Sequence, residues 1–140
     1  MRHRDTRKIG MRLPLGAFAA AALLTSPAIA DELGKQEFMT YCASCHGESG
    51  MGNGPIAQYL TVAPPNLTTL AAHNDGEFPY LDVFMIIDGR TGVGPHGSDM
   101  PVWGDIFMSH ELGAGADYGA ETVIRGRILS LVKYLESIQQ

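Results

Sequence analysis

The sequence predicts an all-α fold, and three observations support this class. In the last segment, apolar residues recur at every third or fourth position, which is the spacing of one helix face. These residues are Ile124, Ile128, Leu131, Leu135 and Ile138. No alternation of apolar and polar residues typical of a β-strand persists along the chain. Stretches rich in glycine and proline separate the apolar segments, as expected of loops that join helices.

Two helices are predicted in the first half of the domain. Residues 31–44 lack proline, and Leu33, Phe38 and Tyr41 fall close to one helix face. Residues 66–73 are predicted as a second, short helix. The glycines and prolines between these two segments predict a loop with at most one short helical turn.

Two further helices are predicted in the second half. Pro79 is suited to a first helical turn, and Gly89 is suited to the stop that follows Asp88. The buried side of this helix is predicted to consist of Val83, Phe84, Ile86 and Ile87. The last helix covers residues 120–137. Loops are predicted over residues 48–65, 92–104 and 113–119.

The first 30 residues have the order of a secretory signal peptide. Basic residues precede an apolar run over 13–24, and small residues at Ala28 and Ala30 form an A-x-A pattern. A membrane anchor is the alternative, but a spanning helix needs about 20 apolar residues and this run is shorter. We therefore expect cleavage after Ala30, export to the periplasm, and one mature domain over 31–140 that does not insert into the membrane.

The expected mature chain is strongly acidic. It keeps 5 of the 10 lysines and arginines and 14 of the 15 acidic residues, so its formal charge is −9, against −5 for the whole chain. Nucleic-acid binding requires a basic surface, so this function class is excluded. Docking on anionic lipid is disfavoured for the same reason. Basic or neutral protein partners fit the charge better.

The only two cysteines of the chain form a C-x-x-C-H motif, Cys42, Cys45 and His46. This motif is the attachment signature of a c-type haem. Each thiol can add to one haem vinyl group, and the adjacent imidazole can bind the iron. The motif therefore predicts one covalently bound haem c.

Three other roles were weighed for these cysteines. A thioredoxin-like dithiol follows a strand in a βαβ unit, and no strand is predicted here. A structural zinc site needs four ligands, and the sequence has no second Cys/His cluster. A plain disulfide between Cys42 and Cys45 is the third alternative. An exported chain with no other cysteines favours haem over all three.

The second axial ligand of the iron is predicted to be Met100. It lies in a loop before Pro101, and thioether sulfur is a soft ligand that raises the potential of haem iron. Met108 is the fallback and His96 is the rival, because two histidines can also ligate haem. The remaining methionines and histidines are interpreted as core residues, as surface or partly buried residues, or as too close in sequence to the motif to reach the far face of the haem. They are Met51, Met85, His73 and His110.

These features together resemble a class I cytochrome c. Gly34 and Phe38 precede Cys42 by eight and four residues and match the glycine and aromatic pair of the family's N-terminal helix. Leu131 and Tyr134 match the pair on its C-terminal helix. The resemblance implies a fold of several helices around one haem, in which these two helices cross closely. Residues 48–95 look like a bacterial periplasmic form rather than a mitochondrial one.

The resemblance also implies roles for a proline-rich loop. "PPNL", residues 64–67, is similar to the family's G-P-N-L loop, in which a proline carbonyl accepts a hydrogen bond from the proximal imidazole. By position this proline is Pro65, and Leu67 is implied to pack on the haem. Such a bond fixes the tautomer of the histidine and raises its basicity.

Two more residues are predicted to contact the haem. Trp103 could pack over the ring edge or donate its N–H to a propionate, although generic core is the alternative. Arg90 could pair with a propionate, since buried carboxylates need charged partners, although a solvated loop arginine is the alternative.

The predicted function is one-electron transfer, as a shuttle or as the cytochrome subunit of a respiratory complex. Its partners would be redox proteins such as a dehydrogenase, an oxidase or another cytochrome. No catalytic residues are predicted. A haem enzyme or gas-binding protein with a labile sixth ligand is the alternative, and firm binding of Met100 would exclude it.

Overall fold

The computed structural model describes residues 28–90, 100–115 and 118–140, with side chains from Asp31 onward. These residues form five α-helices and two 3₁₀ turns, and they contain no strand, so the all-α prediction is confirmed. The helices are α1 (Ala28–Tyr41), α2 (Ala43–His46), α3 (Tyr80–Asp88), α4 (Trp103–Gly113) and α5 (Ala120–Ser137). The 3₁₀ turns are Ala57–Tyr59 and Leu67–Thr69.

Helices α1 and α5 form the main packing contact of the domain. Gly34 lies against the backbone of Ser130, and a Cβ at this position would be only 2.8 Å from the Cβ of Tyr134. One turn further on, the rings of Phe38 and Tyr134 pack with their centroids 5.2 Å apart. Leu131 is also buried. The close crossing that the sequence resemblance implied is therefore present, and a glycine makes it possible.

Helix α3 follows the prediction closely. It begins directly after Pro79 and ends at Gly89, which has φ +69° and donates its N–H to the carbonyl of Met85 at 2.9 Å. A glycine in the left-handed conformation is a common helix terminator because it has no Cβ to clash. Val83 and Ile87 are buried, as predicted.

Helix α4 was not predicted, and the loop assigned up to residue 104 is wrong for its first turn. Gly104 was read as a loop signal, but it packs against Asp88 and Arg90. The glycine is needed there because a side chain has no room. Phe107, one turn later, is completely buried. Tertiary packing therefore stabilises a helix that local propensity leaves ambiguous.

Two other segments and the exposure of one residue differ from the prediction. The segment 31–44 breaks at Cys42, where α2 begins a new helical turn. The segment 66–73 contains one 3₁₀ turn followed by hydrogen-bonded turns. Leu33 is 51 % exposed, which contradicts its assignment to the buried face. Helix α1 contacts α5 through Gly34 and Phe38, and Leu33 lies outside this contact.

An arginine connects three helices beside the aromatic core. Arg127 of α5 donates two hydrogen bonds to Glu37 of α1, at 2.9 and 3.0 Å, and contacts Glu111 of α4. Its guanidinium lies 4.0 Å from the ring centroid of Phe107. The ion pairs and the cation–π contact of this partly buried arginine both stabilise the packing of α1, α4 and α5. Among the described residues, no helix is long and apolar enough to cross a membrane.

Candidate functional site

The two cysteines and His46 are brought together by a single helical turn. The N–H of Cys45 and the N–H of His46 both bond to the carbonyl of Cys42, at 3.1 and 2.9 Å. Gly47, with φ +77°, ends the turn. Residues three apart on a helix lie on the same side, and both cysteines line one cavity together with His46. No disulfide joins the two cysteines.

This cavity has a volume of about 310 Å³ and almost entirely apolar walls. It lies between the α1–α2 corner, the loop that follows α2, α3, the start of α4, and α5. Besides Cys42, Cys45 and His46, the lining residues are Phe38, Tyr41, Leu60, Val62, Ala63, Pro64, Pro65, Leu67, Leu70, Val83, Ile86, Ile87, Met100, Pro101, Trp103, Leu131 and Leu135. The cavity reaches the surface, because Val62 is 59 % exposed.

His46 is buried and oriented by a backbone carbonyl. Its Nδ1 lies 3.4 Å from the carbonyl oxygen of Pro65, so Nδ1–H is placed to donate and Nε2 keeps its lone pair. Burial lowers the pKa of His46 below its usual value, and the bond to Pro65 opposes this effect only in part. A neutral imidazole at pH 7 is the form that binds a metal.

The local environment of Cys42 does not suit a redox dithiol. Burial, then the nearby charge of Glu37 and the second thiol, raise the pKa of Cys42 to about 12. The attacking cysteine of a dithiol oxidoreductase has a lowered pKa, which keeps it a thiolate at neutral pH. Among the described residues, no group of three or more His, Cys, Asp or Glu could hold a metal ion. The dithiol and zinc alternatives therefore lack support.

The predicted methionine ligand lies at this cavity. Met100 and Pro101 both line it, whereas the other described methionines do not. Met51 is 47 % exposed, and Met108 packs against the apolar core. The rival ligand His96 lies outside the described residues. His73 and His110 are exposed, which agrees with their assignment as non-ligands.

Trp103 lines the cavity at the first residue of α4. Its ring packs edge-on against Tyr41, with centroids 5.5 Å apart, and lies 5.8 Å from the ring of Phe107. Pro65 and Leu67 also line the cavity. All three residues thus lie on the wall of the space next to the C-x-x-C-H motif, and their roles toward a haem stay predictions.

Arg90 has different partners from the predicted one. Its guanidinium pairs with Asp88 and, at 2.8 and 3.2 Å, with both carboxylate oxygens of Glu121 at the start of α5. These hydrogen bonds raise the pKa of Arg90 above its usual value. Pairing of Arg90 with a haem propionate stays a prediction. In the structure, Arg90 connects the end of α3 to the start of α5.

Sequence reasoning missed several residues of the cavity wall. Leu60, Val62 and Ala63 lie in a stretch assigned only as loop, and Leu70 lies just beyond the 3₁₀ turn Leu67–Thr69. A signal was present, because three of the four residues 60–63 are apolar and lie between glycine- and proline-rich sequence. An apolar run in a loop points to a buried contact that helix periodicity does not report.

The residues present fit a covalently attached haem. Two thiols on one helical turn can each hold one side of a porphyrin, and the adjacent buried imidazole has a free Nε2. The walls are apolar, as a hydrophobic macrocycle requires. A thioether, that of Met100, lies at the same cavity. This donor set is that of a c-type haem with histidine and methionine ligands.

One family model matches this chain. It is described as Cytochrome c, and it matches residues 32–109, from the first turns of α1 to the middle of α4. The matched range contains both cysteines, His46 and Met100. Comparison with curated proteins and with solved structures found no match.

Proposed function

Since this chain belongs to the cytochrome c family, we propose that it carries one electron on a single haem c. Cys42 and Cys45 hold the haem through thioether bonds, and His46 and Met100 are the axial ligands of its iron. The family implies electron transfer by haem. The observation that carries the finer assignment is the shared apolar cavity of the two thiols, the buried imidazole and Met100.

The residues of the chain tune this chemistry in distinct ways. When bound, haem c supplies a one-electron couple at its iron. The carbonyl of Pro65 accepts from the Nδ1–H of His46 and so leaves Nε2 free, and this atom would bind the iron. The apolar walls exclude water, so little solvent must reorganise when the charge changes. Met100 raises the potential through its soft sulfur. Val62 lines the cavity and is exposed, so on this side a partner protein would approach the haem.

We also propose where the carrier works. Residues 1–30 are removed as a signal peptide, and the mature domain exchanges electrons with redox proteins of the periplasm. The predicted cleavage point, after Ala30, falls in the first turn of α1. The net charge of −9 favours basic or neutral partner surfaces over nucleic acid. Because long-range attraction between charged surfaces is screened by salt, we expect electron exchange with a basic partner to slow at high ionic strength.

The test of this function is an optical spectrum of the exported protein, oxidised and reduced, with and without carbon monoxide. We expect a covalent c-type spectrum with the sulfur-to-iron(III) charge-transfer band and no response to carbon monoxide. Loss of that band together with a shift on adding carbon monoxide would indicate a labile sixth position and a ligand-binding or catalytic haem. A chain without haem from a host that attaches it would exclude the proposal.

A further inference from the structure

Gln139, two residues beyond the end of α5, is hydrogen-bonded to the chain that follows Pro65. Its side-chain amide donates to the carbonyl of Leu67 at 2.8 Å, and its side-chain carbonyl accepts from the N–H of Ala71 at 3.0 Å. The same amide also donates to the carbonyl of Leu135 at 2.6 Å. One side chain thus connects the last turn of α5 to both ends of the segment 67–71.

The backbone beside Gln139 extends this connection. The N–H of Gln140 donates to the carbonyl of Thr68 at 2.9 Å. Thr68 is almost completely buried, and Asn66 accepts hydrogen bonds from both its N–H and its hydroxyl. Besides its own 3₁₀ turn, Leu67–Thr69, the segment 66–71 is therefore held by the residues after α5.

The opposite side of this segment is held by the loop that follows the haem motif. The N–H of Leu67 donates to the carbonyl of Gly50 at 2.7 Å. Gly52, with φ +80°, lies against the carbonyls of Pro64 and Pro65 with no space for a side chain. The position of Pro65 is thus set by two supports, one from residues 50–52 and one from Gln139.

We propose that Gln139 is a positioning residue that sets the strength of the hydrogen bond from His46 to Pro65. This inference rests on the proposed function, because it takes His46 as an axial ligand of the iron. The distance from His46 Nδ1 to the carbonyl of Pro65 is 3.4 Å, which is near the limit of a hydrogen bond. A bond of that length is sensitive to small movements of its acceptor. Gln139 acts on it through the main chain from Leu67 back to Pro65.

The expected effect has a definite sign. A hydrogen bond from Nδ1–H makes the imidazole a more basic ligand, which favours oxidised iron and lowers the potential. In Gln139→Ala, three hydrogen bonds are lost and the segment 66–71 can move away from His46. We therefore expect the potential to rise and the Nδ1 proton of His46 to exchange faster with solvent.

Two control variants separate positioning from simple stability. Val132→Ala removes two methyl groups from a fully buried side chain that does not line the cavity. We expect it to lower the melting temperature and leave the potential and the exchange of the Nδ1 proton unchanged. Gln139→Glu has nearly the same shape, keeps an acceptor for Ala71 and loses the donor to Leu67 and Leu135. Because a carboxylate oxygen then faces the carbonyls of Leu67 and Leu135, this variant should shift the potential in the same direction by at least as much.

The experiment measures the reduction potential, Nδ1 proton exchange by NMR, and thermal unfolding for the haem-loaded wild type and the three variants. A fall in melting temperature for Gln139→Ala with unchanged potential and unchanged Nδ1 exchange overturns the proposal and leaves Gln139 a structural residue. If Gln139→Ala does not fold, Gln139→Glu decides by the same readouts. The spectrum of the wild type is recorded first, so a failure of haem attachment or of histidine ligation is recognised as a failure of the proposed function.

Discussion

At the residue scale, burial governs the chemistry of the haem motif more than charge does. Burial lowers the pKa of His46 and raises that of Cys42 to about 12. Both shifts favour the neutral side chain at pH 7, because desolvation disfavours the charged form. A neutral imidazole with its Nδ1–H directed at Pro65 is ready to bind iron through Nε2. The same environment keeps the thiol of Cys42 protonated, which argues against dithiol exchange.

Replacing the predicted sixth ligand tests the axial assignment directly. We expect Met100→Ala to lower the reduction potential substantially, because axial ligands move haem potentials over roughly 0.8 V. The variant should also bind carbon monoxide. Met51→Ala is the matched control, since Met51 is exposed and does not line the cavity. An unchanged potential in Met100→Ala would show that another residue is the ligand.

The ion pairs of Arg90 provide a second test at this scale. Arg90→Gln leaves the buried carboxylate of Asp88 without its cation. Removing one partner of a buried pair costs about 3–5 kcal/mol, and we expect about 2–3 kcal/mol here because Arg90 is 20 % exposed. Arg125→Gln is the control: Arg125 pairs with Glu121 at the surface and should contribute less than about 0.5 kcal/mol. Equal unfolding midpoints in urea for the two variants would contradict this.

The same cluster predicts a response to acid. Hydrogen bonds from Arg90 and Arg125 lower the pKa of Glu121 to about 2 from a usual value of 4.5. A lowered carboxyl pKa stabilises the folded state above the unfolded pKa, and this stabilisation is lost as the pH falls toward the folded value. We therefore expect the free energy of unfolding to fall between about pH 4.5 and 2, and less steeply in Arg90→Gln. Parallel pH curves for the two proteins would show that Glu121 does not contribute.

At the element scale, the crossing of α1 and α5 depends on one glycine. Gly34 has no room for a Cβ, whereas Gly126 on the same helix pair faces open space. The two glycines therefore have opposite roles. One permits close backbone contact, and the other only weakens the intrinsic helix propensity of α5.

This difference gives a prediction with an internal control. Gly34→Ala should destabilise the fold by about 1–3 kcal/mol, the usual cost of overpacking, because α1 must move away from Ser130 and Tyr134. Gly126→Ala should stabilise it by about 0.5–1 kcal/mol. Chemical denaturation of both variants checks the signs. A stabilised Gly34→Ala protein would mean that the two helices are not in close contact.

At the scale of the whole molecule, the apolar core is built around a cavity. This cavity of about 310 Å³ lies between apolar walls from α1, α3, α4 and α5. Apolar side chains are stabilised by dense packing contacts, so a large apolar group bound between these walls would contribute to the stability of the domain. A small domain has only about 5–15 kcal/mol of stability in total. The fold and the haem are therefore expected to depend on each other.

Removing both attachment points tests this dependence. We expect the double variant Cys42→Ser, Cys45→Ser to lose covalent haem, and its haem-free form to melt far below the wild type and bind a hydrophobic dye. Ser44→Ala, at the exposed position between the cysteines, should keep the haem and the melting temperature. Thermal unfolding followed by circular dichroism makes the comparison. A haem-free chain as stable as the wild type would show that the cavity walls close together without the cofactor.

Local rules predicted the parts of the structure that depend on neighbouring residues. The apolar spacing of residues 120–137 and the glycine after Asp88 were sufficient to locate α5 and the end of α3. The C-x-x-C-H motif alone located the thiols and His46, because its spacing is a single helical turn. Contacts between residues far apart in the sequence were harder to predict. Leu33 was grouped with Phe38 and Tyr41 on one helix face and α4 was missed, because burial and helix formation there depend on which face meets another helix.

The sequence by itself determined the all-α class, the haem motif and the resemblance to cytochrome c, since these follow from residue type and from the spacing of residues close in sequence. Only the tertiary structure decided that Met100, Trp103, Leu60, Val62 and Ala63 share one cavity with His46. Only the tertiary structure also showed Arg90 paired with Glu121, and Gln139 bonded to the segment after Pro65. These contacts join residues about 30 to 70 positions apart. Such partners are chosen by packing and by hydrogen-bond geometry in the folded state, which local periodicity does not encode.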